Sequence, residues 1–315
     1  MLTNRIIISK TTDPYYNLAM EEQLFNNIKD DEIIFYLWKN HKTVVIGRNQ
    51  NPYIECDVDY VKKNGAKVAR RMSGGGTVYH DLGNLNFTFI TTKKNYDMYK
   101  QMMVIKNAVE KFGITVSESG RNDLIVEDKK FSGHAFYEDD GKCFHHGTIM
   151  IDVNKEELKN ILRPSKLKLE SKGITSVKSR VINLKECENS INLENITENL
   201  IRSFEIVYGE ISDIRDSCEE DLKEAILSKY RSNKWIYGES PQFNVKLETK
   251  LEIGNVQLLM NVKDNLVDKV RIYSDTLMKV SFDCLEEAIL FQEFDEEKIL
   301  SMVKAHFNKV SIKIN

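Results

Sequence analysis

A cluster of glycines next to two arginines is the stretch of this sequence best suited to binding an anion. Arg70 and Arg71 end an apolar run, and Gly74, Gly75 and Gly76 follow shortly after them. Glycine tolerates positive φ angles and leaves backbone N–H groups uncovered, so such a loop can fold closely around a phosphate. The guanidinium of Arg71, which we expect at the mouth of the loop, can hold a phosphate or carboxylate through two parallel hydrogen bonds.

The same pattern also fits a hairpin with a flexible tip and arginines on its surface. The loop lacks the Gly-Lys-Ser/Thr ending of a P-loop and the spaced glycines of a dinucleotide-binding fingerprint. A nucleotide at this loop would therefore be bound by a different fold. The neighbouring residues predict a strand, the glycine-rich loop, a second strand, a turn at 81–84 and a third strand at 85–90.

Three further segments carry polar residues inside apolar, strand-like surroundings, at 120–124, 130–135 and 145–148. Taken singly, each has an ordinary structural explanation: a turn that caps a strand, a lysine after an acidic turn, or a bulge. Their occurrence together with the glycine-rich loop favours one functional site. His145 and His146 are neighbours on a predicted strand, so they point to opposite faces and are poorly placed to share a metal.

Composition limits the class of protein. With 315 residues, 41% of them hydrophobic and 30% charged, the chain can form one large domain or two with a buried core. The net charge of −3 argues against a nucleic-acid partner, and no run is long enough to span a membrane. The five cysteines are scattered and never form a Cys-x-x-Cys pair. We therefore expect a reduced cytoplasmic protein without disulfides or a cysteine metal site.

The elements that position these segments predict an α+β fold. We expect strands at 5–9, 33–38 and 43–47, a helix entered at Pro14, and a short helix at 58–64 that Asp57 caps and Gly65 ends. An amphipathic helix is predicted at 98–112. Strands at 123–126, 130–137 and 143–153 predict an antiparallel meander, followed by helices at 156–162, 196–208 and 219–230.

A domain boundary is predicted at 235–241, where Gly238, Ser240 and Pro241 fall together. Beyond it, strand runs at 247–253, 256–262 and 267–273 and helices at 285–291 and 295–307 predict a small second α+β domain. We accordingly divide the chain into a catalytic domain, 1–240, and a small C-terminal accessory domain, 241–315. The polar stretch 166–184 is expected to be a long surface segment.

Seven motifs, in order, resemble those of the bacterial two-domain lipoate–protein ligases. They are TVVIGR at 43–48, RRMSGGG at 70–76, HDLGN at 80–84, GRNDL at 120–124, KFSG at 130–133, HHGT at 145–148 and KGITSV at 172–177. The resemblance extends over nearly the whole chain, including an accessory-domain stretch at 267–277. It implies a catalytic module with the biotin/lipoate ligase fold, in which mixed or antiparallel sheets are flanked by helices.

The resemblance implies an enzyme that forms an acyl-adenylate from lipoate and ATP, with Mg²⁺. The lipoate carboxylate attacks the α-phosphate, pyrophosphate leaves, and the ε-amine of a carrier lysine then takes the lipoyl group as an amide. The expected carriers are the lipoyl domains of 2-oxoacid dehydrogenase E2 subunits or the glycine-cleavage H protein. We expect the ligase to act as a monomer.

The resemblance also assigns residues to this site. Lys130 and Asp123 are the catalytic residues: Lys130 contacts both the α-phosphate and the lipoyl carbonyl, while Asp123 holds Mg²⁺ or orients Lys130. The expected ATP and adenylate site comprises Arg71, Gly74, Gly75, Gly76, Thr77, Val78, Tyr79, Asn84, Asn122, Lys130, Gly133, Ala135 and Thr148. The expected lipoate site comprises Leu18, Val45, Arg71, Val78, Lys130, His146 and Gly147. Ordinary core packing explains the aliphatic members of that set equally well.

Two other functions stay open from the sequence. One is a lipoyl or octanoyl transferase without full adenylation activity, with Cys143 as the suspect thiol. The other is a lipoate-binding regulator without turnover, although no helix-turn-helix precedes the first strand. Lys130 and the intact arginine block favour adenylation. Met72, Thr77 and His134 depart from residue types common in the family, so the shape of the pocket can differ.

Two chemically different substrates must reach one site in turn, and the mixed anhydride must be kept from water between the steps. We therefore predict that 166–179 is poorly ordered or differently placed without ligand, and that the C-terminal domain swings as a unit when lipoyl-AMP forms. The alternative is a fixed C-terminal domain that only stabilises the catalytic one. Small-angle scattering and limited proteolysis, with and without lipoate plus ATP, measure these changes. Unchanged scattering curves and cleavage patterns would contradict the predicted swing.

Overall fold

The computed structural model describes residues 2–120, 123–162, 181–217, 222–238 and 243–312, with side chains as far as Phe307. The predicted α+β class is confirmed: a large mixed sheet flanked by helices is followed by a small antiparallel sheet with its own helices. Asn122 and the segment 166–179 lie outside the described residues. No helix among the described residues is long and apolar enough to cross a membrane.

The strands, in chain order, are β1 Thr3–Ile8, β2 Glu32–Trp38, β3 Thr43–Ile46, β4 Lys67–Arg70, β5 Val78–His80, β6 Asn84–Thr92, β7 Ser117–Ser119, β8 Asp123–Val126, β9 Lys129–Asp139, β10 Lys142–Met150, β11 Asp213–Asp216, β12 Val245–Leu251, β13 Gly254–Lys263 and β14 Leu266–Ser274. The described α-helices are α1 Pro14–Asn27, α2 Pro52–Glu55, α3 Val58–Lys63, α4 Met98–Glu110, α5 Lys155–Ile161, α6 Leu184–Cys187, α7 Leu193–Tyr208, α8 Glu224–Arg231, α9 Asn233–Tyr237, α10 Asp283–Ile289 and α11 Glu296–Ile312.

The large sheet has eight strands in the order β11-β1-β2-β6-β10-β9-β8-β7. Strand β1 runs parallel to β2 and β11, while β6, β10, β9, β8 and β7 continue antiparallel. Every residue of β2 and of β6 is buried. This happens because helices cover both faces: α4 and α7 pack in one core and α1 in the other.

A second sheet, in the order β4-β3-β5, holds the two ends of the glycine-rich loop. Strand β3 lies in the centre, parallel to β4 and antiparallel to β5. The register places Val45 opposite both Ala69 and Val78, so the two strands that flank residues 71–77 are fixed on either side of β3. The predicted order of strand, loop, strand, turn and strand is confirmed.

Local capping signals account for several helix ends. The Asp57 carboxylate accepts a hydrogen bond from the Tyr60 N–H at 3.0 Å, and Gly65 takes a φ of +67° just beyond α3, as predicted. The α2 and α9 helices and the β11 strand were not predicted. Strand β11, at a sheet edge, consists of charged residues apart from Ile214, which is exposed. The sequence of this strand therefore shows no alternation of apolar and polar residues.

Beyond residue 243, strands β12, β13 and β14 form an antiparallel sheet, and α10 and α11 pack against it. Its core is built from this part of the chain alone, including Leu258, Ile272, Ile289 and Val303. The three strands and two helices predicted here are all present. The division at residue 240 stays a prediction, since 239–242 lie outside the described residues.

Three buried histidines predict acid sensitivity of the fold. Burial lowers the pKa of His80 and of His134 to about 3, and that of His145 well below its usual value. These groups are neutral in the folded protein, whereas the unfolded chain binds protons below about pH 6.5. The free energy of unfolding is therefore highest above that pH, and it decreases as the pH falls below it.

We expect His80 and His134 each to cost roughly 2 kcal/mol of unfolding free energy between pH 6.5 and pH 5, and His145 to act in the same direction. Denaturant titrations at several pH values measure this, in a window above the titration of most carboxylates. An unfolding free energy that stays level from pH 7 to pH 5 would show that the histidines are not held neutral.

Candidate active site

The glycine-rich loop is folded in a way that only glycine accommodates. Gly75 has a φ of +91°. A Cβ at Gly47 would collide with the Gly75 carbonyl, and a Cβ at Gly74 would collide with the Thr276 carbonyl. The loop is tied to β3 and its following turn, because the Arg48 N–H donates to the Ser73 carbonyl at 2.9 Å.

Arg71 lies behind this loop rather than at its mouth, which corrects the position expected from the sequence. Its side chain is buried, and its fork donates to the carbonyls of Val45 at 3.1 Å, Gly74 at 2.8 Å and Gly76 at 2.7 Å. A buried charge requires such acceptors, which the loop backbone supplies. Burial lowers the pKa of Arg71 to about 10, so the group stays charged at neutral pH.

Arg70, to which sequence reasoning gave no role of its own, joins two segments of backbone. Its Nη1 donates to the carbonyls of Gly47, Arg48 and Gln50 at 2.7–3.1 Å. Its Nε and Nη2 donate to the carbonyl of Ile236, at the end of α9, at 3.1 and 2.8 Å. The buried guanidinium therefore fixes the turn after β3 against the helix that precedes the predicted domain boundary.

Lys130 and Asp123, on the adjacent strands β9 and β8, form an ion pair with 2.7 Å between Nζ and Oδ1. Their side chains are 27% and 17% exposed, so the pair is partly accessible to solvent rather than buried in the core. A Cβ at Gly133 would collide with the Lys130 side chain, which explains why a glycine follows the lysine at this spacing. The Gly133 N–H donates to Thr148 Oγ1 at 3.3 Å.

The glycine-rich loop and this strand meet at one point. A Cβ at Gly75 would lie 3.8 Å from the Cβ of Ala135, and a Cβ at Gly147 would collide with the Phe87 ring. The strand register pairs Gly147 with His134 on one side and with Phe87 on the other. The structure thus brings together residues that lie far apart in the sequence, from the loop and from β8, β9 and β10.

Other residues expected at the site lie nearby or in the core. Asn84 is buried at the start of β6, where its Nδ2 donates to Asn86 Oδ1 at 2.8 Å. Asn86 pairs with Thr148 across the strands, and its own Nδ2 has no hydrogen-bond acceptor among the described residues. Asn86 was missed from the sequence, although an unsatisfied buried amide beside Thr148 is well suited to bind a ligand.

The aliphatic residues expected to hold lipoate are packed in one hydrophobic cluster. Leu18 and Val45 are each 1% exposed, and the partly buried Val78 packs against the same cluster, which also contains Trp38 and Met72. Their contact with lipoate stays a prediction. In this structure they act as core residues on the α1 side of the sheet.

His145 and His146 point to opposite faces, as predicted. His145 contacts His134 at 2.7 Å and Gln101 at 2.9 Å on the α4 side. His146, on the α1 side, contacts Ser73 at 2.7 Å and Glu21 at 2.8 Å. Glu21 and Ser73 were missed as site residues, although a carboxylate on the inward face of a predicted helix was a visible signal.

The small C-terminal part rests directly on the glycine-rich loop. The Gly75 N–H donates to the Thr276 carbonyl at 2.9 Å, and the Ser274 N–H donates to the Asn49 carbonyl at 2.8 Å. An ion pair between Lys279 and Asp139 adds to this contact. One of the N–H groups that could face a phosphate is therefore taken by the chain itself.

Comparison with known proteins gives the following similarities. Residues 13–205 match the family described as the lipoyl protein ligase A/B catalytic domain, and residues 240–314 match the bacterial lipoate protein ligase C-terminus. Lipoate-protein ligase A of Psychrobacter cryohalolentis is 39% identical over 317 residues, covering 98% of this chain and 92% of that protein.

Two solved structures are also similar. P. falciparum LipL1 in complex with lipoate has a TM-score of 0.77 at 30% identity, covering 95% of this chain and 93% of that chain. A structure from the archaeal lipoylation system of Thermoplasma acidophilum, described as a bi-partite lipoate protein ligase and its E2 lipoyl domain, has a TM-score of 0.66 at 24% identity. That second match covers 78% of this chain and 100% of that chain, and at this identity it supports the fold alone.

The contact between Gly74 and Thr276 predicts the behaviour of Gly74→Ala. The added methyl group would collide with the Thr276 carbonyl, so the C-terminal part should leave the glycine-rich loop. We expect a larger radius of gyration by small-angle scattering and faster proteolysis near residue 240. Thr276→Ala, which keeps the carbonyl, is the control and should match the wild type. A compact Gly74→Ala variant would contradict this docking.

Proposed function

Because the chain belongs to the lipoate–protein ligase A family in its two-domain bacterial form, we propose that its lipoyl-adenylate forms between the glycine-rich loop and β9. The ATP-dependent lipoylation of lipoyl domains is the reaction of this ligase. The observation that carries the proposed location is the Lys130 ammonium, paired with Asp123 at 2.7 Å and folded over Gly133. Next to it, Ala135 of the same strand lies against Gly75 of the loop.

The first step joins two anions, so it depends on fixed positive charge. An oxygen of the lipoate carboxylate attacks the α-phosphorus of ATP, and the bond to the departing pyrophosphate breaks. Lys130 supplies a point charge that can contact both the carboxylate and the α-phosphate. The N–H groups between Gly74 and Tyr79 are proposed to hold the phosphates, once the Gly75 N–H no longer donates to Thr276.

Mg²⁺ fits this arrangement as a companion of ATP. Among the described residues no cluster of three His, Cys, Asp or Glu side chains could hold a metal by itself. Mg²⁺ is commonly held by one or two carboxylates together with substrate phosphates, so the single carboxylate of Asp123 suits it. When bound, the ion would neutralise phosphate charge. In the absence of ATP, Asp123 has the second role of orienting Lys130.

The second step transfers the lipoyl group. The neutral ε-amine of the acceptor lysine attacks the carbonyl carbon of the mixed anhydride, and AMP leaves with the electrons of the anhydride bond. The nitrogen releases one proton to solvent, which leaves a neutral amide. Lys130 stabilises charge on the carbonyl oxygen and on the departing phosphate. In this proposal the same cation serves both half-reactions.

The adenosine and lipoyl groups are assigned to different surroundings. Asn84, Asn86 and Thr148 lie together as uncharged hydrogen-bonding groups and are proposed to face the nucleotide. Asn122 is proposed there as well. The apolar lipoyl chain is proposed to enter beside Leu18 and Val45, so binding must rearrange part of their cluster.

The acceptor proteins are proposed to be lipoyl domains of E2 subunits or the glycine-cleavage H protein, bound by a monomeric ligase. This proposal rests on the family to which the chain belongs, whose reaction is the lipoylation of lipoyl domains. Each carrier protein is incubated with the ligase, ATP and lipoate, and intact mass analysis then measures the fraction of each carrier that is lipoylated.

The alternative of a cysteine-dependent transferase finds little support. The Cys143 thiol is buried, and burial together with the nearby Glu138 carboxylate raises its pKa to about 11. A nucleophilic cysteine requires the opposite environment, one that favours the thiolate. Strand pairing places Cys143 beside Thr91 and Glu138, five register positions from Thr148.

Lys130→Ala should abolish adenylate formation while the fold is kept. Removing one charge aimed at the reacting groups costs about 10²–10³ in rate. Pyrophosphate release, measured with lipoate and ATP, reports the first step. The matched control is Lys129→Ala, since Lys129 is the preceding residue on the same strand and its side chain is exposed. Release near the wild-type rate from Lys130→Ala would refute the role of this lysine.

Cys143→Ser should lipoylate the carrier at close to the normal rate, because the thiol has no part in the proposed mechanism. Carrier lipoylation and lipoyl-AMP formation are measured in parallel by mass spectrometry. A variant that makes lipoyl-AMP but cannot transfer it would reveal a thioester route and would revise the proposal.

A further inference from the structure

A continuous chain of buried hydrogen bonds leads away from Arg71. Arg71 Nε donates to Ser73 Oγ at 3.1 Å, and Ser73 Oγ lies 2.7 Å from His146 Nε2. His146 Nδ1 lies 2.8 Å from Glu21 Oε1. Thr88 Oγ1 donates to the same Glu21 oxygen at 2.7 Å, and beyond it Trp38 Nε1 donates to Thr88 Oγ1 at 3.0 Å. All of these side chains are at most 7% exposed.

The positions of the protons in this chain follow from its two ends. Arg71 can only donate, so the Ser73 oxygen accepts its proton. Ser73 must then donate its own proton, and the His146 nitrogen at 2.7 Å is closer than the Gly74 carbonyl at 3.4 Å. With His146 Nε2 as the acceptor of the Ser73 proton, the ring N–H is on Nδ1 and is donated to Glu21 Oε1.

The hydrogen bonds at the Trp38 end of this chain of side chains also make Glu21 an acceptor. Trp38 Nε1–H is also a pure donor, so Thr88 accepts from it and passes its own proton to Glu21. One carboxylate oxygen of Glu21 therefore receives two hydrogen bonds. The Arg71 guanidinium and the Glu21 carboxyl group lie at opposite ends of the Ser73 and His146 side chains. This arrangement offsets the cost of burying each charge.

The order serine, histidine, carboxylate is also that of a serine hydrolase triad, but the surroundings exclude a nucleophile. Ser73 is 0% exposed, and its oxygen already accepts the Arg71 Nε–H. An attacking hydroxyl must face the substrate with a free lone pair. The serine, the histidine and the carboxylate also come from three different elements, namely the glycine-rich loop, β10 and α1, which suits a device that fixes position.

We propose that Ser73, His146 and Glu21 form a positioning relay that holds the Arg71 guanidinium, and through it the Gly74 and Gly76 carbonyls, in the form that binds ATP. Arg71 orients those carbonyls inward, so the loop N–H groups are left to face the phosphates. Breaking the relay lets the buried guanidinium move to other acceptors and the loop relax. The relay rests on the proposed function, since it takes this loop as the ATP site.

The relay makes a specific kinetic prediction. Ser73→Ala should raise the KM for ATP by roughly ten- to hundredfold, the size expected from losing one hydrogen bond to a charged group, and change kcat by less than about threefold. The assay is lipoate-dependent exchange of pyrophosphate into ATP by the full-length chain. The control is Ser203→Ala on α7, because Ser203 is buried and its hydroxyl has no partner among the described residues.

A double variant separates positioning from general loosening of the fold. If Ser73 acts through Arg71, then adding Ser73→Ala to Arg71→Ala should change the calorimetric Kd for ATP by less than about twofold. Effects that multiply in the double variant would overturn the relay. An unchanged KM for ATP in Ser73→Ala alone would also overturn it.

Glu21 gives a second test that does not depend on the folding of Ser73→Ala. Glu21→Gln keeps an oxygen acceptor for His146, so it should raise the KM for ATP by only about three- to tenfold, whereas Glu21→Met should match the full effect. Equal effects of the two Glu21 variants would contradict the relay.

The proposed function and the relay fail differently. If Arg71→Ala leaves ATP affinity unchanged, then the loop is not the ATP site and both proposals fall. If Arg71→Ala loses affinity while Ser73→Ala and Glu21→Met do not, then only the relay is wrong.

Discussion

The buried guanidinium of Arg71 is the interaction on which the glycine-rich loop depends. A cation this far from water must be surrounded by acceptors, and the loop supplies them as backbone carbonyls of Gly74 and Gly76. For those carbonyls to point toward Arg71, the backbone adopts a positive φ at Gly75. At Gly74, a side chain would collide with the Thr276 carbonyl. The glycines are thus a consequence of the buried charge. In the proposed function, the remaining N–H groups of this loop hold the phosphates of ATP, once the Gly75 N–H no longer donates to Thr276.

The rest of the fold brings a second cation to the other side of that loop. Lys130 and Asp123 form an ion pair on the adjacent strands β9 and β8. Gly133 leaves space for the Lys130 side chain, and Gly147, on the neighbouring strand β10, leaves space for the Phe87 ring. The two positive groups are held differently, and we propose different roles for them. Arg71 is buried and fixes the loop backbone, whereas Lys130 is partly exposed and is proposed to contact both reactants. A reaction that joins a carboxylate to a phosphate needs both a rigid anion site and an adaptable charge.

The sequence predicted the parts of this arrangement that are local. Alternating apolar residues indicated the meander, and the faces of His145 and His146 followed from the two-residue period of a strand. Partners distant in the chain could not be predicted. Glu21 was visible as a carboxylate on an inward helix face, but its contact with His146 joins residues that lie 125 positions apart. Likewise, Arg71 was expected at the loop mouth, because a motif gives residue type and spacing but not burial. Strand β11 was missed since pairing with β1 gives it no periodic apolar face.

The central claim is that this one chain makes lipoyl-AMP from lipoate and ATP. Pyrophosphate exchange in the absence of any carrier protein tests it most directly, since the first step reverses only if the adenylate forms and stays bound. We expect labelled pyrophosphate to appear in ATP when lipoate is present, and none without lipoate. If no exchange occurs, while the protein still transfers the lipoyl group from added lipoyl-AMP to a lipoyl domain, then the site performs only the second step and the account of Arg71 and Lys130 as an adenylation site is wrong.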